Sequence, residues 1–222
     1  YFVKKYIDFL IESSKDFLIY LIPGKELYEN FDWYGKQRAK AFKVLDTKSL
    51  INDIEERDSF YTHMVIWDKK YKSLAAGQRF LFNPKGNANN KEYSFLESYH
   101  PNTYEKLKNE SFCEIGRTFI MPAFQKRVYL MELIRGFVRI PESKKINIGI
   151  GLISFNHKNL KKECINSFLE ILEFSKTNSL DLPNGKYLYE SYDKTKKFDK
   201  TIILNFEKLK DIEKKLKEID KN

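Results

Sequence analysis

The sequence predicts an α/β fold in one domain. Three observations carry this: strand-like and helix-like periodicities alternate along the chain, the stretch from Phe112 onward reads strand–helix–strand–helix, and the composition can fill one sizeable core. Of 222 residues, 42% are hydrophobic and 15% aromatic, with 14 Tyr and 18 Phe. Aromatic residues at that density separate the chain from charge-dominated disorder, so the 32% charged residues read as a solvated surface. No internal repeat or low-complexity linker divides the sequence, and one domain over residues 1–222 is expected.

The elements follow in order. Phe2, Tyr6, Phe9 and Leu10 fall at helical spacing, and Phe17–Ile22 is a continuous apolar run that reads as a buried strand, closed by Pro23-Gly24. Residues 27–44 read as a helix that carries Arg38 and Phe42 four apart, hence on one face. Residues 62–68 (THMVIWD) and 73–82 (SLAAGQRFLF) are rich in strand formers, and the charged turn Lys69–Lys72 between them makes a hairpin. From Asn83 to Ser111 the chain turns polar and then aromatic, with a short helix at 102–108. Excursions of that length serve function more often than connection.

Phe112–Ile120 reads as a strand that Pro122 closes, followed by a core-facing helical stripe of Leu130, Leu133, Ile134 and Phe137. Residues 146–155 form the next strand, and Ile165, Phe168, Leu169 and Leu172 mark the helix after it. That β-α-β-α order favours a parallel strand pair. A strand-like run at 200–205 and an amphipathic helix with Leu209, Ile212, Leu216 and Ile219 on one face complete the chain.

The formal charge of +9 attracts acidic partners: nucleic acid, an anionic membrane or an acidic protein. No RNP-type motif, zinc-ligand pattern or basic helix supports nucleic acid. Cys113 and Cys164 lie far apart without CxxC spacing, which fits a reducing, cytoplasmic setting and argues against a disulfide framework. His63, His100 and His157 show no ligand spacing, so no metal is expected. Lys4, Lys5, Asp8, Glu12, Lys15 and Asp16 interrupt the apolar N-terminal region, so a soluble or peripheral protein is expected. The sequence opens at Tyr1 rather than Met, which leaves room for upstream residues, a removed targeting segment included.

The order strand, helix, hairpin, strand, helix, strand, helix is also that of the GNAT acyltransferases. The segments HMVIWDKKYKSLAAGQRF and FCEIGRTFI resemble the hemolysin-like branch of ornithine-lipid and glycine-lipid N-acyltransferases, related more distantly to acyl-homoserine-lactone synthases. The likeness spans about residues 17–174 and leaves 175–222 as a C-terminal extension. It implies a GNAT-like mixed, largely antiparallel sheet, with a parallel pair formed by the fourth and fifth strands and helices on its flanks.

In that branch a helix carries Arg and Phe four apart, the third strand an Arg, and the fourth Glu-x-Gly-Arg. Arg38 and Phe42, Arg79, and Glu114-Ile115-Gly116-Arg117 stand at the matching places. The acidic stretch Asp53, Glu55, Glu56 and Asp58 occupies the place of the relatives' acidic turn, but its spacing does not line up, and no residue is carried over from it.

The resemblance implies an N-acyltransferase that makes acyl-amino-acid membrane lipids. An amine attacking a thioester must lose its proton, and the tetrahedral oxyanion must be stabilised, with no metal or covalent intermediate required. Glu114 is the candidate base; its other reading is a structural carboxylate paired to Arg117 or Arg79. Arg79 and Arg117 could fork onto an acceptor carboxylate, Arg79 being the preferred of the two, or merely hold Glu114. Arg38 with Phe42 could equally be a snorkelling Arg above a core Phe.

The resemblance implies oxyanion donors among the backbone amides of Phe119, Ile120 and Met121. Acetyl-CoA-using relatives cradle the pyrophosphate in a glycine loop at the start of the following helix. Here that loop reads Pro122-Ala123-Phe124-Gln125-Lys126-Arg127-Val128-Tyr129, with Gln125 and Arg127 as candidate donor contacts and no glycine. Side chains crowd such an approach, so an acyl carrier protein phosphopantetheine suits the loop better than acyl-CoA. The expected partners are therefore an acyl carrier protein and a small amine acceptor, with peripheral contact at the inner face of an anionic membrane. Small-acyl transfer from CoA and a catalytically inert basic module, binding membrane or an acidic protein, are the competing readings.

Overall fold

A computed structural model describes residues 2–43, 52–83, 94, 104–105, 107–124, 127–146, 148–154, 191–193 and 196–205. The polypeptide forms two compact units, one of Tyr1–Leu81 with Gly116–Ile134, the other of Phe82–Ile115 with Arg135–Asn222.

The first unit is built on four antiparallel strands: β1 (Leu10–Ser13), β2 (Phe17–Pro23), β3 (Thr62–Asp68) and β4, which begins at Ser73 and runs to Asn83. β1 pairs with β2, β2 with β3 and β3 with β4. The helical periodicity expected through Leu10 breaks earlier than the sequence suggests. A short helix α1 (Phe2–Lys5) gives way to a 3₁₀ turn at Ile7–Phe9 and then to β1. Ser14 ends β1, because its hydroxyl oxygen accepts the amides of Asp16 and Phe17 and turns the chain into β2.

β3 is buried at Met64, Val65 and Ile66 alike, the pattern of a strand covered on both faces. The two-residue period then decides which side chain meets which layer. Met64 pairs in register with Gln78, and the Gln78 amide donates to the Leu133 carbonyl of the helix α4 (Arg127–Ser143), 3.1 Å away. His63 pairs with Arg79 on the opposite face, where the ring of Tyr34 packs edge-on to His63 at 5.5 Å.

Tyr34 belongs to α3 (Phe31–Lys43), and the helix expected over 27–44 is in fact three pieces: α2 (Gly24–Leu27), a 3₁₀ turn (Tyr28–Asn30) and α3. Close approach to the next segment requires glycine twice. A Cβ on Gly24 would lie 2.1 Å from the carbonyl oxygen of Asp58, and one on Gly35 would lie 1.8 Å from the Asn52 side chain. Segment 52–58 therefore lies directly against these helices, and the Asp53 amide donates to the Gly35 carbonyl at 3.1 Å.

The stripe of α4 is shifted from the expected one. Leu133, Ile134 and Phe137 are buried as expected, but Leu130 is exposed and Tyr129 takes its place in the core. Tyr129 is the better inward residue because its hydroxyl reaches a buried carboxylate, Asp68. A 3₁₀ turn at Pro122–Phe124 precedes the helix, and Pro141, which cannot donate its amide, stands in the last turn.

The Phe112–Ile115 part of β5 (Phe112–Ile120) lies in the second unit and runs parallel to β6 (Ile148–Ser154), the parallel pair the β-α-β order predicts. β6 also pairs antiparallel with β8 (Lys196–Asn205), and β8 with β7 (Ser191–Asp193). Among the described residues the fold is mixed α/β, with antiparallel strands, one parallel pair and helices, the architecture the resemblance implies. The helices expected at 165–172 and 209–219 lie outside the described residues, as does most of the 83–111 excursion.

Candidate active site

The charged residues singled out on the first unit converge on one network, and its hub lies in the acidic stretch. Arg38 has no exposed surface. It therefore does not snorkel: its Nε donates to Asp53 at 2.6 Å, and Nη1 and Nη2 fork onto the Asp58 carboxylate at 3.0 and 2.7 Å. Arg79 donates from Nη1 to Asp58 at 2.7 Å and from Nη2 to Glu55 at 2.9 Å, with its guanidinium 4.4 Å from the Tyr61 ring centroid. Arg117 continues the ladder by donating to Glu55, and its Nη2 lies 3.4 Å from Asp53. These three arginines thus face three carboxylates, with a fourth, Arg57, beside Glu55, as burial of so many charges requires.

Local backbone chemistry places the acidic members. Glu55 and Asp58 form a reciprocal capping box on the 3₁₀ turn Glu56–Phe60, with the Glu55 amide donating to Asp58 at 2.8 Å. His63 reinforces the hub by donating from Nε2 to the Asp58 carbonyl at 2.9 Å. That bond assigns the proton to Nε2 and leaves Nδ1 a buried acceptor without a partner.

The electrostatics follow from burial set against pairing. Burial opposes ionisation of Asp58, but the bonds and charges of Arg38 and Arg79 outweigh it and hold the carboxyl far below its usual range. For Glu55, burial is likewise outweighed by Arg79 and Arg117, and its pKa is lowered. Burial pushes His63 down to about 4, so its ring is neutral near pH 7. A carboxylate held low by two arginines makes a poor general base and a durable anion.

Exposure along the ladder is graded. Arg38 and Asp58 have fully buried side chains and Arg79 only 8% exposure, whereas those of Arg117 and Glu55 are 34% and 36% exposed. The solvent end of the network is therefore Glu55 with Arg117, joined by Arg57, whose Nε lies 3.5 Å from Glu55. Phe42 floors it, with the Arg117 guanidinium 5.9 Å from its ring and Phe119 edge-on at 6.2 Å. Arg117 has φ 49, the left-handed region, next to Gly116, so its side chain leaves the ordinary alternation of a strand.

The structure brings together Arg38, Phe42, Arg79, Arg117 and Phe119. Both terminal nitrogens of Arg79 are occupied by Asp58 and Glu55, and Arg117 is the fork nearer solvent. Glu114 stands three residues before Arg117 in the portion of β5 that belongs to the second unit. It is fully buried and accepts a hydrogen bond from the Ser94 hydroxyl.

Of the candidate oxyanion donors, the Met121 amide is committed to the Ala75 carbonyl at 2.8 Å. Gln125 lies outside the described residues, and Arg127 is placed only as the first residue of α4. The sequence reading missed Asp53, Glu55, Asp58 and His63. The available signal was the Glu55-x-x-Asp58 capping-box spacing within an acidic stretch.

Among the described residues no helix is long and apolar enough to cross a membrane. No curated protein matches the sequence. Among solved structures, the chain is similar to BjaI, a CoA-dependent acyl-homoserine lactone synthase bound to SAM and isopentyl-CoA. The TM-score is 0.58 at 12% identity, over 89% of this chain and 88% of that one. It is also similar to the AHL synthase LasI, with a TM-score of 0.52 at 11% identity over 86% and 90%. A third similar structure is apo FdhC, a nucleotide-linked sugar GNAT, with a TM-score of 0.50 at 9% identity over 89% and 92%. At these identities the likeness is one of fold. Residues 32–135 match the acetyltransferase (GNAT) domain, a span that holds the whole ladder from Arg38 to Arg117. The chain thus has a GNAT-like fold in which residues 32–135 match a GNAT acetyltransferase domain, and it is an enzyme of the acyltransferase class.

Proposed function

We propose that the protein moves a fatty acyl chain from an acyl carrier protein thioester to the amine of an amino acid or a similar zwitterionic acceptor. The observation that carries this reading is the half-exposed Glu55–Arg117 pair at the end of a buried charge ladder. A guanidinium fork beside a permanently ionised carboxylate matches a carboxylate beside an ammonium, the two ends of an amino acid. In this reading Arg117 meets the acceptor carboxylate, Glu55 receives its ammonium, and Phe42 with Phe119 forms an apolar floor. Arg38 and Arg79 act as positioning residues, because they hold Asp58 and Glu55 in place.

The reaction is a direct attack. The bound ammonium first gives up one proton to solvent; the free amine nitrogen then adds to the thioester carbonyl carbon, and Glu114 takes a second proton from that nitrogen. Collapse of the tetrahedral oxyanion breaks the C–S bond, and the proton held by Glu114 passes to the departing pantetheine sulfur. Glu55 is the wrong base for this step, since its carboxyl is held low by Arg79 and Arg117. Backbone amides of Phe119 and Ile120 are the assigned oxyanion donors, and Gln125 and Arg127 the assigned donor contacts. The glycine-free loop, whose Phe124 turns into the core, favours a carrier-bound donor over the pyrophosphate of CoA. The product would be an N-acyl amino acid, an amphiphile released at a membrane that the basic surface contacts peripherally from the cytoplasmic side.

The test is to offer a long-chain acyl carrier protein with a panel of amino acids and detect the N-acyl product by mass spectrometry. Transfer to at least one amino acid is expected, with acetyl-CoA a poor donor. Because BjaI, similar in fold, carries isopentyl-CoA, acyl-CoA donors form a second arm. Efficient acetyl transfer with no use of the carrier substrate would refute the proposal in favour of a CoA-dependent small-acyl transferase.

A further inference from the structure

We propose that the turn Lys69–Lys72 is the docking tip for an acidic carrier protein; the inference rests on the carrier-dependent donor proposed above. Two turns meet at this end of the first unit. The Lys69 amide donates to the Asp16 carbonyl at 2.9 Å, and Lys69 Nζ donates to the Ser13 hydroxyl at 3.0 Å and to the Ser14 carbonyl. The β1–β2 turn and the β3–β4 turn therefore form one surface, on which Lys15, Lys70 and Lys72 are exposed against one exposed acid, Asp16.

The tip is held rigidly. Asp68 is buried and receives the Tyr71 amide on one carboxylate oxygen at 2.6 Å and the Tyr129 hydroxyl on the other. Lys72 takes φ 50, which closes the turn. This bracing leaves Tyr71 58% exposed, with Lys70 Nζ 5.4 Å from its ring centroid and Phe124 edge-on at 5.6 Å. Phe124 in turn packs against Tyr129 at 5.8 Å.

An aromatic side chain fixed in an exposed position between two exposed lysines, Lys70 and Lys72, is a costly arrangement for a mere connection, and it has the composition of an interface anchor. Its occupant follows from charge and position. A net charge of +9 and three exposed lysines select an acidic protein. Phe124 and Tyr129 fix the same tip to the Pro122–Phe124 loop, the loop assigned to the donor arm. A carrier seated on Tyr71 would present its prosthetic thioester to that loop.

The test compares two donors with the same acyl chain, one on the carrier protein and one on free pantetheine, across the parent, Tyr71→Ala and the double variant Lys70→Glu/Lys72→Asn. Asn is chosen at position 72 because it tolerates the left-handed backbone. The expected result is that kcat/KM for the carrier substrate falls about tenfold or more in both variants, while acyl-pantetheine stays within about twofold. The salt dependence of the carrier reaction should also flatten in the double variant. Equal loss with both donors, or no loss with either, overturns the docking tip while leaving the carrier reading intact. A parent enzyme that shows no preference for the carrier over acyl-pantetheine overturns the carrier reading and the tip together.

Discussion

Asp58→Asn isolates the hub of the charge ladder. The substitution keeps size and shape and removes one charge that has no solvent exposure. In the parent that carboxylate receives Arg38 at 3.0 and 2.7 Å, Arg79 at 2.7 Å and the Glu55 amide at 2.8 Å. Asn offers one acceptor oxygen and an NH₂ that points donors at donors, so two buried guanidinium groups lose their shared counter-ion. Breaking a buried pair from one side costs about 3–5 kcal/mol, a large part of a domain stability of about 5–15 kcal/mol. For a chain of this size the melting temperature should fall by roughly 6–20 °C, at about 2–4 °C per kcal/mol.

Thermal and urea denaturation of parent and variant measure the effect, and Asp32→Asn supplies the control. Asp32 pairs with Lys36 on the surface, with 71% and 49% side-chain exposure, and its loss should cost under about 1 kcal/mol. Adding Arg38→Met to Asp58→Asn should cost less than the sum of the singles, because it withdraws a charge that the first change stranded. An Asp58→Asn protein that melts like Asp32→Asn would refute the view that Asp58 anchors the ladder.

Three further outcomes are expected. Glu114→Gln should lower kcat about a hundredfold, the low end of general-base contributions, in a protein that still folds by circular dichroism; turnover within fivefold of the parent removes Glu114 from the chemistry. Arg117→Asn, which suits the left-handed backbone, should raise the acceptor KM at least about tenfold with a smaller change in kcat, as loss of a carboxylate fork from ground-state binding requires. His63 contributes a pH-dependent stability. Its folded pKa of about 4 lies below the ordinary 6.5, so this contribution is complete above pH 6.5 and is lost as pH falls towards 4. Between pH 7.5 and 5 the parent should lose about 2 kcal/mol that His63→Gln does not, read from urea melts. Asp58 and Glu55 act in a lower window, below 3.8 and 4.5.

The sequence by itself determined the strand–helix order, the β3–β4 hairpin, the parallel pairing of β5 with β6, and the arginines on α3, β4 and β5. These are consequences of local rules. A period of two or 3.6 assigns a residue to a face, turn residues mark the ends, and a strand–helix–strand connection fixes parallel pairing. The four-residue β1 was not legible, because so short a segment holds barely one alternation and its Leu10 also continues a helical spacing.

Only the tertiary structure decided which charges meet. Arg117 donates to Glu55 across 62 residues and Arg79 to Asp58 across 21, so no spacing rule connects them. Face assignment could say that Arg38 and Arg79 point inward, but a buried guanidinium is satisfied by whichever carboxylate the packing delivers. Here a capping box delivered Glu55 and Asp58, and the tight approach at Gly24 set the depth of the turn that carries them. The same packing left Glu55 and Arg117 at the solvent end, because exposure depends on how the surrounding layers close over a side chain rather than on its neighbours in sequence.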